Sequence, residues 1–280
     1  GWGCFSARRL LYPDQRPVSP PDPLPSHTTL TLQAPDGQVF EVYRLAPHTP
    51  PRARLLVFHG YHANRYQVLG IAAALRERGF ESFIMELRGH GKRPGPCTFG
   101  VREAQDAAAV LSWVRGSDPQ LSPPLAVLGL SMGAAVAVQV TRRQPEIRAV
   151  VADSIYSRFS PIVANQIRRR YHLPAFPWAW ITWGSLTLAL RGATRWLDPA
   201  TVALRMQQPL LAIHGGQDDV VPPRQAEEVY ERWAGPKERW FEPSARHVEL
   251  SLRDPIAYGS RVAAFLNRVL PPAPPCPAHQ

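Results

Sequence analysis

The segment Gly129-Leu130-Ser131-Met132-Gly133 places a serine between two glycines, in the pattern G-x-S-x-G. An apolar run precedes it and a run of small residues follows it, which predicts a strand, a sharp turn and a helix. Glycines on both sides let the backbone take a strained turn without clashing side chains. The serine hydroxyl would then stand above a sheet at a helix N-terminus, where developing negative charge is stabilised. This arrangement predicts that Ser131 is a nucleophile.

Such a serine needs a base to remove its proton, and the base needs an acidic side chain to orient it. In a parallel sheet these groups would lie in loops that follow later strands. One such loop, in "IHGGQDDVVP", contains Asp218 and Asp219, and another, in "PSARHVEL", contains His247. A serine, an aspartate and a histidine in this chain order predict acyl transfer through a catalytic triad.

Strands and helices alternate along most of the chain. Solid apolar runs such as "ARLLVFHG", "LAVLGL" and "PLLAIHG" predict buried strands, and segments with helical spacing separate them. Continuous apolar strands that alternate with helices predict a mostly parallel sheet covered on both faces, the α/β class. An alternating segment that breaks at Pro35-Asp36-Gly37 predicts a hairpin at one antiparallel edge.

Four motifs make the chain resemble the α/β-hydrolase superfamily from about residue 30 to about residue 270. They are "VFHG" followed by Tyr61, "ELRGHG" with Glu86 in the usual aspartate place, "GLSMG", and "HGGQDDVVP". The resemblance implies the α/β-hydrolase fold: a mostly parallel eight-stranded sheet with helices on both faces and an inserted helical cap. The spacing before the last motif is similar, more loosely, to that of serine-aminopeptidase-like hydrolases.

The resemblance also implies roles for individual residues. Ser131 would be the nucleophile, His247 the base, and Asp218 rather than Asp219 the acid. Asp153, at the end of "VVADS", is an alternative acid, because some members of the superfamily carry the acid after that strand.

Two backbone amides and one side chain complete the predicted site. The resemblance implies that the N–H groups of Tyr61 and Met132 form the oxyanion hole, and His62, beside the oxyanion loop, would contact the substrate. Three further histidines in motif turns are predicted to be structural: His59, His90 and His214.

Composition and resemblance divide the chain into four parts. Residues 1–28 are a proline-rich N-terminal arm, residues 29–153 and 209–270 form the hydrolase core, residues 154–208 are the cap insertion, and residues 271–280 are a disordered tail.

The cap contains an uncharged run, Leu173–Leu190, whose length is that of a marginal membrane span. Two prolines and its place between two strands of the sheet argue against a span. Trp178, Trp180 and Trp183 would instead form an apolar wall over the acyl pocket, or part of the cap's own core.

Composition limits the partners of the chain. The net charge is +10 and nearly all of the basic residues are arginine, but they are scattered, so we expect no nucleic-acid partner. Three distant cysteines without a C-x-x-C pair indicate no zinc site, and we expect neither a metal nor a cofactor. The location of the protein stays open. The chain opens at Gly1, so a signal or anchor could precede it, and the protein could be membrane-tethered or cytoplasmic. Peripheral membrane contact could occur through that anchor or through the cap. The oligomeric state is equally open.

These features predict a serine hydrolase that cleaves carboxylic esters with hydrophobic acyl groups of short to medium length, through an acyl-enzyme. Three alternatives remain. The same triad would serve an aminopeptidase or amidase, or a thioesterase, and the fold could also be a binding protein without catalysis.

Overall fold

The computed structural model describes residues 1–14, 18–117 and 123–271. Within them eight strands form one sheet, in the spatial order β1-β2-β4-β3-β5-β6-β7-β8. Strand β2 is antiparallel to both of its neighbours and the other pairs are parallel, which confirms the predicted mostly parallel eight-stranded sheet. The strands are β1 (Thr28–Gln33), β2 (Val39–Leu45), β3 (Ala53–Phe58), β4 (Phe80–Met85), β5 (Leu125–Leu130), β6 (Ile147–Asp153), β7 (Leu210–Gly215) and β8 (Lys237–Glu242).

Helices cover both faces of this sheet. Their ranges are α1 (Trp2–Leu11), α2 (Leu69–Arg76), α3 (Glu103–Ser117), α4 (Met132–Arg143), α5 (Phe159–Tyr171), α6 (Trp178–Ala189), α7 (Pro199–Ala203), α8 (Pro223–Arg232), α9 (Glu249–Arg253) and α10 (Pro255–Val269). Helices α2 and α10 bury their apolar sides in one core, and α3, α4 and α8 bury theirs in the other. Strands β3, β4 and β7 are buried along their whole length, and the two charged residues within them, Arg54 and Glu81, form a buried ion pair at 2.8 Å.

The segment 154–208, which we call the cap, joins β6 to β7 and is mostly helical. It contains α5, α6 and α7, in agreement with the helical cap that the resemblance implies. Among the described helices, none is both long and apolar enough to cross a membrane. Only part of the uncharged run Leu173–Leu190 is helical, namely Trp178–Ala189, and this helix packs on the rest of the protein.

Helix α1 lies inside the predicted proline-rich arm of residues 1–28, where the sequence pattern predicts no helix. Gly3 allows it to approach α6 closely, because a Cβ atom there would lie 2.3 Å from the Ser185 hydroxyl oxygen. The Ser6 and Thr182 hydroxyls meet at 2.7 Å in the same interface. A helix this short gains its stability from such packing rather than from its own sequence, so local signals do not reveal it. Most of the predicted C-terminal tail lies outside the described residues.

A buried ion-pair network holds the turn after β4 against α3. The Asp106 carboxylate accepts hydrogen bonds from Arg88 at 2.6 and 2.7 Å and from Arg93 at 2.6 Å. Arg88 also reaches Asp36 on the hairpin between β1 and β2, at 2.5 Å. Both carboxylates bind the guanidinium of Arg88, but Asp106 is buried whereas Asp36 is partly exposed to solvent.

Replacing Asp106 with alanine should lower the free energy of unfolding by about 3–5 kcal/mol, because two arginines would lose a buried counter-charge. The matched variant Asp36→Ala removes the exposed partner of Arg88 and should cost about 1 kcal/mol or less. Urea denaturation of both variants measures the difference. Equal losses would show that burial of the network does not decide its contribution.

Candidate active site

Ser131 lies at a strained turn between β5 and α4, with φ 53° and ψ −115°. Both flanking positions require glycine, because a side chain at either one would clash with neighbouring backbone. A Cβ atom at Gly129 would lie 2.1 Å from the carbonyl oxygen of Gly133, and one at Gly133 would lie 2.3 Å from the carbonyl oxygen of Phe58. The backbone N–H of Ser131 donates to the carbonyl of Asp153 at 2.7 Å, which ties the turn to β6. The hydroxyl therefore stands at the carboxyl edge of the sheet, as the pattern predicts.

Three side chains from three loops meet at this edge. His247 Nε2 lies 2.9 Å from Ser131 Oγ, and His247 Nδ1 lies 2.6 Å from Asp218 Oδ2. The other carboxylate oxygen of Asp218 accepts hydrogen bonds from the N–H groups of Val220 and Val221, at 2.9 and 2.8 Å. Asp218 is buried and His247 is partly exposed, so the chain runs from the interior to an accessible hydroxyl. The structure thus brings together the serine, histidine and aspartate that the sequence analysis selected.

Asp153, the alternative acid, is not part of the hydrogen-bonded series Asp218–His247–Ser131. Its Oδ1 accepts a hydrogen bond from the Ser154 hydroxyl at 2.9 Å, and Ser154 Oγ accepts one from the N–H of Val248 at 3.1 Å. Among the described contacts of His247, the carboxylate that it touches belongs to Asp218. Burial raises the pKa of Asp153 to about 6, although the Ser154 hydrogen bond opposes this. Asp153 therefore supports the backbone beside His247.

The amides predicted to form an oxyanion hole border the same space. Tyr61 and Met132 line a cavity together with Ser131 and His247. Within the part of the chain that the structure describes, no carbonyl or side chain accepts a hydrogen bond from either N–H. The loop of Tyr61 is held by its hydroxyl, which donates to the carbonyl of Leu10 at 2.8 Å.

Two of the motif histidines hold the loop that carries Tyr61. His59 Nδ1 bonds the carbonyl of Gly60 at 2.8 Å, and its Nε2 accepts from the N–H of Leu87 at 3.1 Å. His90 Nε2 accepts the N–H of His62 at 3.3 Å. Burial, with some repulsion from His59, lowers the pKa of His90 to about 3, so the ring is neutral and can accept.

The cavity above Ser131 has a volume of about 550 Å³. Its walls are mostly apolar, with Leu10 from α1, Phe99 from the loop before α3, and Phe159, Ile162 and Val163 from α5. His62, predicted to contact substrate, lies in the wall. A cavity of this size suits a small organic substrate.

The predicted tryptophan wall is not part of this cavity. Trp178 packs against Trp2 with 5.3 Å between ring centroids, and Trp183 contacts Phe159 from behind at 6.2 Å. Trp180 is 75% exposed on the outside of the cap. Of the two predicted places for these tryptophans, Trp178 and Trp183 take the one in the cap's core rather than in the cavity wall, because α5 lies between α6 and the cavity and α1 packs on α6.

The cationic side of the cavity was not predicted. Arg169 and Arg170 line it; Arg169 pairs with Asp219 at 3.1 Å, and Arg170 pairs with Asp14. The Asp14 carbonyl also accepts a bond from His62 Nδ1 at 2.6 Å, so Asp14, three residues beyond the end of α1, joins the oxyanion loop to the cap. The run of arginines is visible in the sequence as a charge cluster, but no local signal connects Asp14 with them. Among the described residues, no cluster of histidine, cysteine and acidic side chains could hold a metal ion.

A family model described as serine aminopeptidase, S33, matches residues 49–181. The structure is similar to that of the esterase Pf2001 from Pyrococcus furiosus, with a TM-score of 0.74 and 23% identity, over 92% of this chain and 99% of that one. The chain has the α/β-hydrolase fold. Its order of strands and its strained serine turn agree with that assignment.

Other similar proteins match over most of the chain. An uncharacterized protein of Bacillus subtilis, YqkD, is 26% identical over 86% of this chain and 80% of its own length. An uncharacterized protein of Mycobacterium tuberculosis, Rv2307c, is 29% identical over 93% of this chain and 87% of its own. The acylaminoacyl peptidase of Pyrococcus horikoshii matches with a TM-score of 0.67 and 16% identity, over 88% of this chain and 42% of that one. Family model and neighbours together support a hydrolase.

The stability of this hydrolase should depend on the protonation of Asp153. Its pKa rises from 3.8 to about 6 on folding, so the folded state holds a proton that the unfolded state has released between about pH 4 and pH 6. The free energy of unfolding should therefore fall as pH rises through this window, by roughly 3 kcal/mol in total. In Asp153→Asn this contribution should be absent.

Urea denaturation of both proteins at pH 4.5, 5.5 and 7.5 tests this expectation, because the difference between them cancels the other titrating groups. The asparagine keeps an oxygen that can accept from Ser154. Parallel pH profiles for the two proteins would contradict the raised pKa.

Proposed function

We propose that this protein is a serine hydrolase that cleaves carboxylic esters with hydrophobic acyl groups. The observation that carries the proposal is the hydrogen-bonded chain from Asp218 through His247 to the Ser131 hydroxyl, which opens into an apolar cavity. Such a chain activates a hydroxyl that is otherwise a weak nucleophile.

In the proposed reaction, Ser131 Oγ attacks the acyl carbon while His247 Nε2 accepts its proton. The N–H groups of Tyr61 and Met132 stabilise the oxyanion, and such donors each contribute about 10²–10³ in rate. His247 then protonates the leaving alcohol, which leaves an acyl-enzyme on Ser131. Water then attacks the acyl carbon and gives a proton to His247, which returns it to Ser131 Oγ as the acid is released. Asp218 stabilises the imidazole whenever it is charged.

The cavity supports an apolar acyl group. Leucine, valine, isoleucine and phenylalanine side chains from α1, α5 and the loop before α3 form its walls, and burying an acyl chain against them contributes about 0.8 kcal/mol per CH₂. Its volume of about 550 Å³ is compatible with a chain of short to medium length together with the alcohol.

An aminopeptidase needs an acidic group to bind the free α-amine of its substrate. Of the described residues that line the cavity, none is acidic; Arg169 and Arg170 also line it, each paired with an aspartate outside the lining. The same arginines favour a second candidate, hydrolysis of a thioester with an anionic leaving group. Turnover of acyl-CoA, compared with an uncharged thioester of the same acyl chain, tests that candidate.

The nucleophile is tested with p-nitrophenyl esters of increasing acyl length. We expect turnover with an optimum at short to medium chains, and loss of turnover by at least 10³-fold in Ser131→Ala. A fluorophosphonate probe should label the wild type and not the variant. Turnover that survives the substitution would reject Ser131, and no turnover with any ester would reject the esterase proposal.

The acid is tested with two matched substitutions. Asp218→Asn should lower kcat by about 10⁴-fold, because His247 would lose the carboxylate that fixes its tautomer. Asp153→Asn should change kcat only a few fold, because its carboxylate contacts Ser154 rather than the imidazole. The reverse order of effects would make Asp153 the acid.

A further inference from the structure

Helix α6 of the cap presents large apolar side chains on the side that faces solvent. It contains no charged residue, whereas a surface helix of a globular protein normally has a polar outer face. Leu188 is 81% exposed, Trp180 75% and Ile181 43%, and Phe176, just before the helix, is 70% exposed. We call these four residues the cap face.

The cap face is continuous rather than a scatter of single residues. At 100° per residue, Trp180, Ile181 and Leu188 fall within one third of the circumference of α6. Gly184 lies between them, and no atom lies within 4 Å of a Cβ atom built there, so the face is open. Phe176 contacts Trp180 with 6.1 Å between ring centroids. A contiguous exposed patch of large apolar side chains marks an interaction surface.

The segments around this face are rich in arginine, and four of these arginines pair with acidic residues outside the segments: Arg9, Arg158, Arg169 and Arg170. Residues 154–197 contain six arginines and no aspartate or glutamate, and residues 1–13 contain two more arginines and again no acidic residue. These two segments therefore carry +8 of the net charge of +10, and the rest of the chain is nearly balanced. Arg191 and Arg195, which directly follow α6, are exposed and have no acidic partner in the described part of the chain.

We propose that the cap face docks onto an anionic lipid surface. Tryptophan and phenylalanine are suited to the boundary between headgroups and acyl chains, and arginines beside them would contact acidic headgroups. The charge disfavours a second copy of this chain as the occupant, because two cap faces would bring the exposed Arg191 and Arg195 of both copies together. This docking is independent of the proposed esterase activity.

The geometry leaves the catalytic cavity unblocked when the cap face is occupied. The cavity is lined by α5 and α1, and α6 packs behind them with its outer side free. Lipid bound at the cap face would thus lie one helix layer away from the cavity.

Co-sedimentation with vesicles tests the proposal, one set made of phosphatidylcholine alone and one with phosphatidylglycerol added. We expect the wild type to bind the anionic vesicles at least tenfold more tightly than the neutral ones at low salt. The double variant Trp180→Ser, Leu188→Ser should lose at least tenfold in binding to anionic vesicles. The matched control Leu252→Ser, Ile256→Ser removes two exposed apolar side chains elsewhere and should bind like the wild type.

The arginines are tested in the same way. Arg191→Gln with Arg195→Gln should weaken binding to anionic vesicles about tenfold or more, since each basic residue near such a surface contributes measurably. Arg148→Gln with Arg239→Gln makes the same change in net charge on the core and should have little effect.

Three outcomes would overturn the proposal. They are equal binding of the wild type to both kinds of vesicle, equal losses in the cap-face variants and their controls, or a dimer in solution that the Trp180→Ser, Leu188→Ser variant dissociates. Thermal melting of each variant beforehand shows that a loss of binding is not a loss of fold.

Discussion

The close approach of backbone to backbone around Ser131 is the constraint on which the rest of the site depends. The carbonyl groups of Gly133 and Phe58 lie where side chains would begin at Gly129 and Gly133, so α4 can start directly against β3 and β5. Only this packing holds a serine at φ 53°. The strain is tolerated because the surrounding sheet and helix determine the turn. From that point, the position of the hydroxyl follows from the direction of β5.

The partners of Ser131 reach it because parallel strands end at one edge of the sheet. The loops after β7 and β8 bring Asp218 and His247 to the edge where β5 ends, and the backbone amides of Val220 and Val221 hold the carboxylate in place. Asp153 stands at the same edge, yet its contact with Ser154 directs it toward the backbone beside His247. Two aspartates at equivalent strand ends thus differ by which hydrogen bonds their loops provide.

The cap combines large apolar side chains with a cluster of arginines. Its inner helix, α5, supplies both apolar wall and arginines to the cavity, and its outer helix, α6, is apolar where it meets solvent. Helix α1 stabilises this arrangement by close packing at Gly3 and Ser6. The excess positive charge of the protein lies in these same segments, so packing and electrostatics distinguish the cap from the balanced core.

The sequence by itself determined the sheet, the strand–turn–helix at Ser131 and the candidates Asp218 and His247. These depend on local periodicity, on glycines whose need is local, and on chain order in a parallel sheet. Only the tertiary structure decided which aspartate meets His247, since Asp153 and Asp218 both follow buried strands. It also decided that α1 is a helix, that Asp14 joins the oxyanion loop to Arg170, and that the tryptophans of α6 point away from the cavity. Those features arise from contacts between residues that are far apart in the chain, and local sequence patterns do not reveal such contacts. In the case of α6, an apolar run of uniform composition does not indicate which side of the helix faces the cavity.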